Sequence, residues 1–174
     1  MDSRVFWDLS YGVYITTVMD GERPTGCVTN SAMQITSEPA TIAVSVNHDN
    51  YTNGCIEKSG KFAVCICSEA TKPLTIGTFG FRSGRDFNKF DDIPYEMKAG
   101  LPIVRDSING YVVCEVINKL ETDTHTVFLG RVMESERFDI GSKPMTYAYY
   151  HEVVKGRAPK NAPTYIDPEK LGEK

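Results

Sequence analysis

Thr41-Ile42-Ala43-Val44-Ser45-Val46-Asn47 decides the fold. Apolar side chains at 42, 44 and 46 alternate with Ala43, Ser45 and Asn47, and side chains two positions apart share one face of a strand. Ile42, Val44 and Val46 therefore point to a core. The opposite face starts small and ends polar. Small residues let a flat ligand approach the backbone, and Ser and Asn offer it hydrogen bonds. The same face also suits a strand with one solvated side.

Outward from this stretch the same period recurs at 11–18, 62–67, 111–118 and 126–133. Asp20-Gly21 marks a turn whose return runs through 25–29, so at least six strands are predicted. Short helices fit between them: 51–58 with Asn50 as N-cap and Gly60 as stop, 73–79 with Pro73 in its first turn, and 4–9. Long helices and βαβ units are missing. The predicted class is mainly β, an antiparallel barrel with short helices, rather than a doubly wound sheet.

At 174 residues, with 41% hydrophobic and 24% charged, the chain fits a single domain over 1–174, with a core at about 10–165 and a tail at 166–174. Such a length buries about two-thirds of its unfolded surface and needs no disulfide or metal staple. The 14 Gly and 9 Pro are ordinary levels, which excludes collagen-like chains. The longest apolar stretch, 9–19, carries Ser10, Tyr11 and two threonines, too short and too polar for a membrane span. A net charge of -4 without a basic stripe disfavours nucleic acid. Asp2 and Asp8 stand where a signal peptide needs an apolar region, so the expected compartment is the cytoplasm. The five cysteines form no C-x-x-C. Cys65 and Cys67 share a strand face, as buried free thiols do in a reducing compartment. Among the three histidines, His48, His125 and His151, no two share a helix turn, so no metal site is expected.

Two further segments carry chemistry. Thr29-Asn30-Ser31-Ala32-Met33-Gln34, then Thr36-Ser37, is uncharged but rich in hydrogen-bonding groups. It suits the edge of a planar heterocycle, or an ordinary Ser/Thr loop. Phe79-Gly80-Phe81-Arg82-Ser83-Gly84-Arg85-Asp86, with Lys89 beyond, combines two glycines that free backbone N–H groups with two arginines that grip phosphate. A solvated turn would look the same. No G-x-G-x-x-G, P-loop or G-x-S-x-G is present, and no carboxylate pair is set off by motif. Demanding chemistry in this chain would belong to a cofactor.

Together these segments resemble the flavin reductase-like family of FMN-binding split barrels, along nearly the whole chain. The resemblance runs from Ser10-Tyr11-Gly12-Val13-Tyr14 through Gly26 to Ser31, Gln34 to Pro39 and Ser45-Val46-Asn47. It continues with Asn50-Tyr51-Thr52, Ser59 to Phe62, Ile76 to Asp86, Thr124 to Gly130, and Tyr147 to Tyr165 with Lys155-Gly156-Arg157-Ala158-Pro159. The most similar branch holds ferric reductases, flavoredoxins and the flavin domain of rubredoxin fusions.

The resemblance implies a Greek-key-like split barrel, a homodimer, and FMN that passes electrons from NADH or NADPH to an acceptor: free flavin, ferric iron, or a redox protein such as a separate rubredoxin. It places Thr29, Asn30, Ser31 and Ala32 at the isoalloxazine edge, and Ser45, Val46 and Asn47 along the ring and ribityl chain. Asn50 and Thr52, at a helix start, lie toward the phosphate. Phe81, Arg82, Ser83, Arg85 and Lys89 complete the pocket. His125 is the candidate catalytic residue on the nicotinamide and flavin side, and His151 a second histidine near the flavin. Relatives often carry Gly-Asp-His where this chain has Asp123-Thr124-His125. Some ferric-reducing relatives carry Cys at Ser45. No C-x-x-C pair follows Tyr165, so a fused rubredoxin domain is not expected. The alternative function is an FMN electron carrier without nicotinamide turnover of its own. A heme-binding or ligandless barrel lacks support, for want of an axial His motif and because of the Arg82–Asp86 loop.

Overall fold

The computed structural model describes residues 2–165; the expected tail at 166–174 lies outside them. In chain order the elements are a 3-10 turn (Ser3–Asp8), β1 (Tyr14–Asp20), β2 (Arg23–Thr29), β3 (Met33–Ser37), β4 (Ala40–Asn47), α1 (Tyr51–Ser59) and β5 (Lys61–Cys67). They continue with α2 (Pro73–Phe81), β6 (Tyr95–Lys98), β7 (Leu101–Val104), β8 (Ile108–Glu121), β9 (His125–Arg137) and α3 (Tyr147–Glu152).

Seven strands form one antiparallel sheet in the order β2-β1-β5-β8-β9-β4-β3, and β6-β7 make a separate hairpin. The fold is the mainly β, antiparallel architecture that the alternating segments predict. Both faces of the sheet are buried, each against its own cluster. Val18, Cys27, Val44, Val46, Phe62, Val64, Cys114 and Phe128 form the inner core together with Cys55 and Ile56 of α1. Ile15, Ala63, Cys65, Cys67, Tyr111 and Val113 point outward and are covered by Ile76 and Phe79 of α2, Leu101, Ile103 and Val104 of β7, and Tyr150 of α3. Burying a side chain such as Phe62 or Ile15 stabilises by about 1.5–3 kcal/mol.

α1 is set by its ends. Asn50 Oδ1 accepts from the Thr52 N–H at 3.2 Å, and Gly60, at φ 68°, donates to the Ile56 carbonyl at 2.8 Å. Only glycine takes that left-handed conformation without strain. α2 begins on Pro73 and is capped from a distance. The buried Asp106 carboxylate accepts from the Lys72 N–H at 3.3 Å and from the Thr75 hydroxyl.

The structure also differs from the sequence expectations. The first strand begins at Tyr14 rather than 11, because the Gly12 region bridges to Thr146 instead of joining the sheet. Met33–Ser37 is an edge strand with all five residues exposed, so no buried face imprints an alternation on it. The β6-β7 hairpin and α3 carried no period of their own.

Candidate functional site

A cavity of about 550 Å³ opens where the C-terminal ends of β2 and β4, the start of α1, the end of α2 and the segment 157–165 converge. That volume lies within the usual range of small-molecule sites. From the expected residues it gathers Thr29, Asn30, Ser45, Val46, Asn47, Asn50, Phe81, Arg82 and Ser83 into its wall.

Asn30 is 5% exposed. Its Nδ2 donates to Thr164 Oγ1 at 2.8 Å, and Thr164 Oγ1 donates in turn to the Tyr147 hydroxyl at 3.0 Å. Its Oδ1 is buried without a partner. A buried acceptor left unpaired costs about 1–3 kcal/mol, and among the described residues this atom meets no donor. At the other end, Gly84 lies so close to Thr25 and Tyr51 that any side chain there would overlap Thr25 Oγ1. This contact holds the Arg82–Arg85 loop against α1. Ser83 Oγ accepts from the Arg85 N–H at 3.2 Å, and Arg82 lies over the Phe87 ring at 4.3 Å.

Seven expected residues stand outside the wall. Ser31 supports it from behind, donating to the Ser45 carbonyl at 3.1 Å. Ala32 packs against the inner core. Thr52 is buried beside the α1 cap. Arg85 lies over the ring of the wall residue Tyr51 at 5.8 Å, as does Arg23 at 5.6 Å. Lys89 is 2% exposed and donates to the Gly26 carbonyl at 2.7 Å and the Phe79 carbonyl at 3.0 Å. Its ammonium is spent on tying β2 to α2. Burial lowers its pKa, opposed by the Cys27 thiol, while burial raises that of Cys27.

His125 pairs with the wall residue Asn47 across β4 and β9. Its Nδ1 meets Thr124 Oγ1 at 2.8 Å, and its Nε2 is buried with no side-chain partner among the described residues. Burial lowers its pKa, with the nearby Asn161 backbone opposing, so the ring is neutral at pH 7. His151 lies behind the wall, its Nδ1 bonded to the Gly156 carbonyl at 2.8 Å and its ring edge-on to Tyr147 at 4.3 Å.

The sequence left the strap at 157–165 without individual roles. It crosses the cavity from Arg157 to Tyr165. At its root the Gly156 N–H donates to the Tyr150 carbonyl at 2.9 Å, and a side chain at Gly156 would overlap the Tyr150 ring. Burial raises the pKa of both Tyr147 and Tyr150, so their hydroxyls stay protonated beside the cavity.

Residues 6–156 match the model of the flavin reductase like domain. The chain belongs to this family of flavin reductase-like oxidoreductases. The flavin reductase-like chain is 39% identical over 166 residues to the high molecular weight rubredoxin of Moorella thermoacetica, covering 95% of this chain and 72% of that one. It is 35% identical over 168 residues to the ferric-chelate reductase (NAD(P)H) of Archaeoglobus fulgidus, covering 96% and 99%. The fold of the Streptomyces globisporus NADH:FAD oxidoreductase superposes with a TM-score of 0.74 at 24% identity, over 82% of this chain and 84% of that one. Among the described residues no helix is long and apolar enough to cross a membrane.

Proposed function

We propose that the cavity holds FMN and that the protein passes electrons from NADH or NADPH through it to an acceptor. One observation carries the reading. A single cavity joins an unpaired buried acceptor, Asn30 Oδ1, to a loop of Arg82 and Ser83 beside the α1 cap. FMN has one ring N–H donor at its heterocyclic edge and one phosphate at its far end, so these groups match in kind.

Bound there, FMN supplies the hydride-accepting and electron-donating chemistry. The protein supplies the rest. Asn30 Oδ1 would accept from the ring N–H. Ser45, Val46 and Asn47 would line the ring and its chain, and Asn50, Arg82 and Ser83 would hold the phosphate, with Arg85 behind them. The strap and the tyrosines exclude water from the ring end. His125, a neutral ring bonded to Thr124 and near the Asn161 backbone, is the group that would hold or move a proton there. Thr52, Lys89, Ser31 and Ala32 act by shaping the wall.

The β3 edge, with Met33 and Ile35 in solvent, and the exposed Phe6 and Trp7 support a homodimer. Five buried free cysteines suit a reducing cytoplasm. The similarity to a protein named a rubredoxin favours a redox-protein acceptor, such as a separate rubredoxin.

The test is the visible spectrum of the FMN-loaded protein before and after anaerobic NADH or NADPH. Fast bleaching of the flavin bands supports the reductase. Bands that neither dinucleotide bleaches make the protein an electron carrier. Failure to take up FMN removes the cofactor assignment.

A further inference from the structure

Tyr147 does more on the cavity wall than exclude water, because its hydroxyl is tied to Asn30. Asn30 and Tyr147 both line the cavity, and Thr164, which joins them, lies behind the lining. Asn30 Nδ2 donates to Thr164 Oγ1 at 2.8 Å, and the one proton of Thr164 Oγ1 goes to the Tyr147 oxygen at 3.0 Å. The Asn30 side chain also lies by that hydroxyl.

A phenolic hydroxyl can accept and can donate one proton. Tyr147 accepts from Thr164, and among the described residues no acceptor meets its own O–H. Burial raises its pKa, so the proton stays on the oxygen. The ring is held edge-on to Tyr11 at 6.1 Å and to His151 at 4.3 Å. One part of the wall thus sets an unpaired acceptor, Asn30 Oδ1, beside an unused donor, the Tyr147 O–H.

That pair complements a cyclic imide edge, where an N–H lies between two carbonyl oxygens. FMN carries such an edge on the pyrimidine side of its ring. With Asn30 Oδ1 on the ring N–H, a neighbouring carbonyl oxygen needs a donor, since a buried unpaired acceptor is costly. Asn30 Nδ2 is turned to Thr164, which leaves Tyr147 to supply it. We infer that the Tyr147 hydroxyl donates to the flavin carbonyl oxygen beside the ring N–H and thereby raises the reduction potential of the bound cofactor. The assignment rests on the FMN reading above. Reduction by two electrons and one proton leaves a net negative charge on the ring, shared by its carbonyl oxygens. A hydrogen bond to a charged oxygen is roughly twice as strong as one to a neutral oxygen, so this donor favours the reduced form.

The experiment measures the midpoint potential of FMN-loaded wild type, Tyr147→Phe and Tyr150→Phe, with the Kd of oxidised FMN for each. Tyr150 also lines the cavity, but its hydroxyl meets the Arg157 backbone instead of the Asn30 chain. Phenylalanine keeps the ring of either tyrosine in place. Tyr147→Phe is expected to weaken reduced FMN about tenfold more than oxidised FMN. By the thermodynamic cycle its midpoint falls by about 30 mV, the worth of a tenfold change in a two-electron couple. Tyr150→Phe should leave the midpoint in place. An equal loss of affinity in both oxidation states, with the potential unmoved, makes Tyr147 a support for the strap and overturns the inference. An unmoved potential with unchanged Kd, or a fall seen in Tyr150→Phe instead, overturns it as well. In each of these cases the FMN reading stands. A wild-type protein that takes up no FMN overturns both.

Discussion

The side chain of Asn30 donates to Thr164 Oγ1 at 2.8 Å, a bond between residues 134 positions apart. It orients the amide so that Oδ1, buried and unpaired, is the atom left for a ligand. Asn30→Leu keeps the bulk and removes both functions. FMN affinity is expected to fall about tenfold, the worth of one neutral hydrogen bond. Limited proteolysis within 156–165 should also accelerate. Titration of FMN fluorescence checks the first effect, and an unchanged Kd would show that Oδ1 does not meet the flavin.

The Arg82–Arg85 loop predicts a difference between two ligands. Arg82→Ala with Arg85→Ala is expected to weaken FMN about a hundredfold, at roughly 1.5–3 kcal/mol per charge-assisted contact. Riboflavin, which lacks the phosphate, should bind nearly as before. Parallel titrations decide it, and equal losses for both ligands would place the phosphate elsewhere.

His125 gives a pH-dependent prediction. Burial holds its folded-state pKa below 6.5. As pH falls from 6.5 toward that lower value, the unfolded chain binds a proton that the folded one refuses, so stability declines across that window. His125→Gln should flatten this part of the urea-midpoint profile. In FMN-loaded protein the same variant should slow flavin reduction by NADH about tenfold or more, if Nε2 holds a proton at the ring. An unchanged rate would leave His125 a strand-end residue.

Lys89 predicts a stability effect of opposite chemistry. Lys89→Met removes the ammonium and leaves the Gly26 and Phe79 carbonyls short of a donor, costing about 2–3 kcal/mol. Burial lowers the Lys89 pKa. As pH rises from the folded-state value toward 10.5, the unfolded chain holds the extra proton, and wild type gains stability relative to the variant. Urea midpoints for both proteins between pH 7 and pH 10 should therefore diverge. A constant offset would show that the Lys89 ammonium stays charged when buried.

Local signals carry much of the architecture. The alternation of Ile42, Val44 and Val46, the Asn50 cap and the left-handed Gly60 all act within a few residues, so the strand and helix around them are legible in sequence. The resemblance adds a set of pocket residues, nine of which line the cavity. What stays hidden depends on distant partners. Asp106 caps α2 from 34 residues away, and Lys89 spends its charge on carbonyls that only the folded core brings near. The strap has no hydrophobic period, and its place over the cavity is set by Thr164 meeting Asn30 and by Gly156 meeting Tyr150. Pro159 and Pro163 mark it as irregular chain, which signals a loop but not the wall it completes.

The cavity wall begins at Val13 and ends at Tyr165, and its members are synthesised in that order. Asn30, Ser45, Asn50 and Arg82 leave the ribosome while Thr164 is still unmade. The strap is the last part of the wall to emerge, after every strand of the sheet around α1. On the FMN reading, a chain that stopped before the strap would form the sheet but lack the segment that crosses the opening.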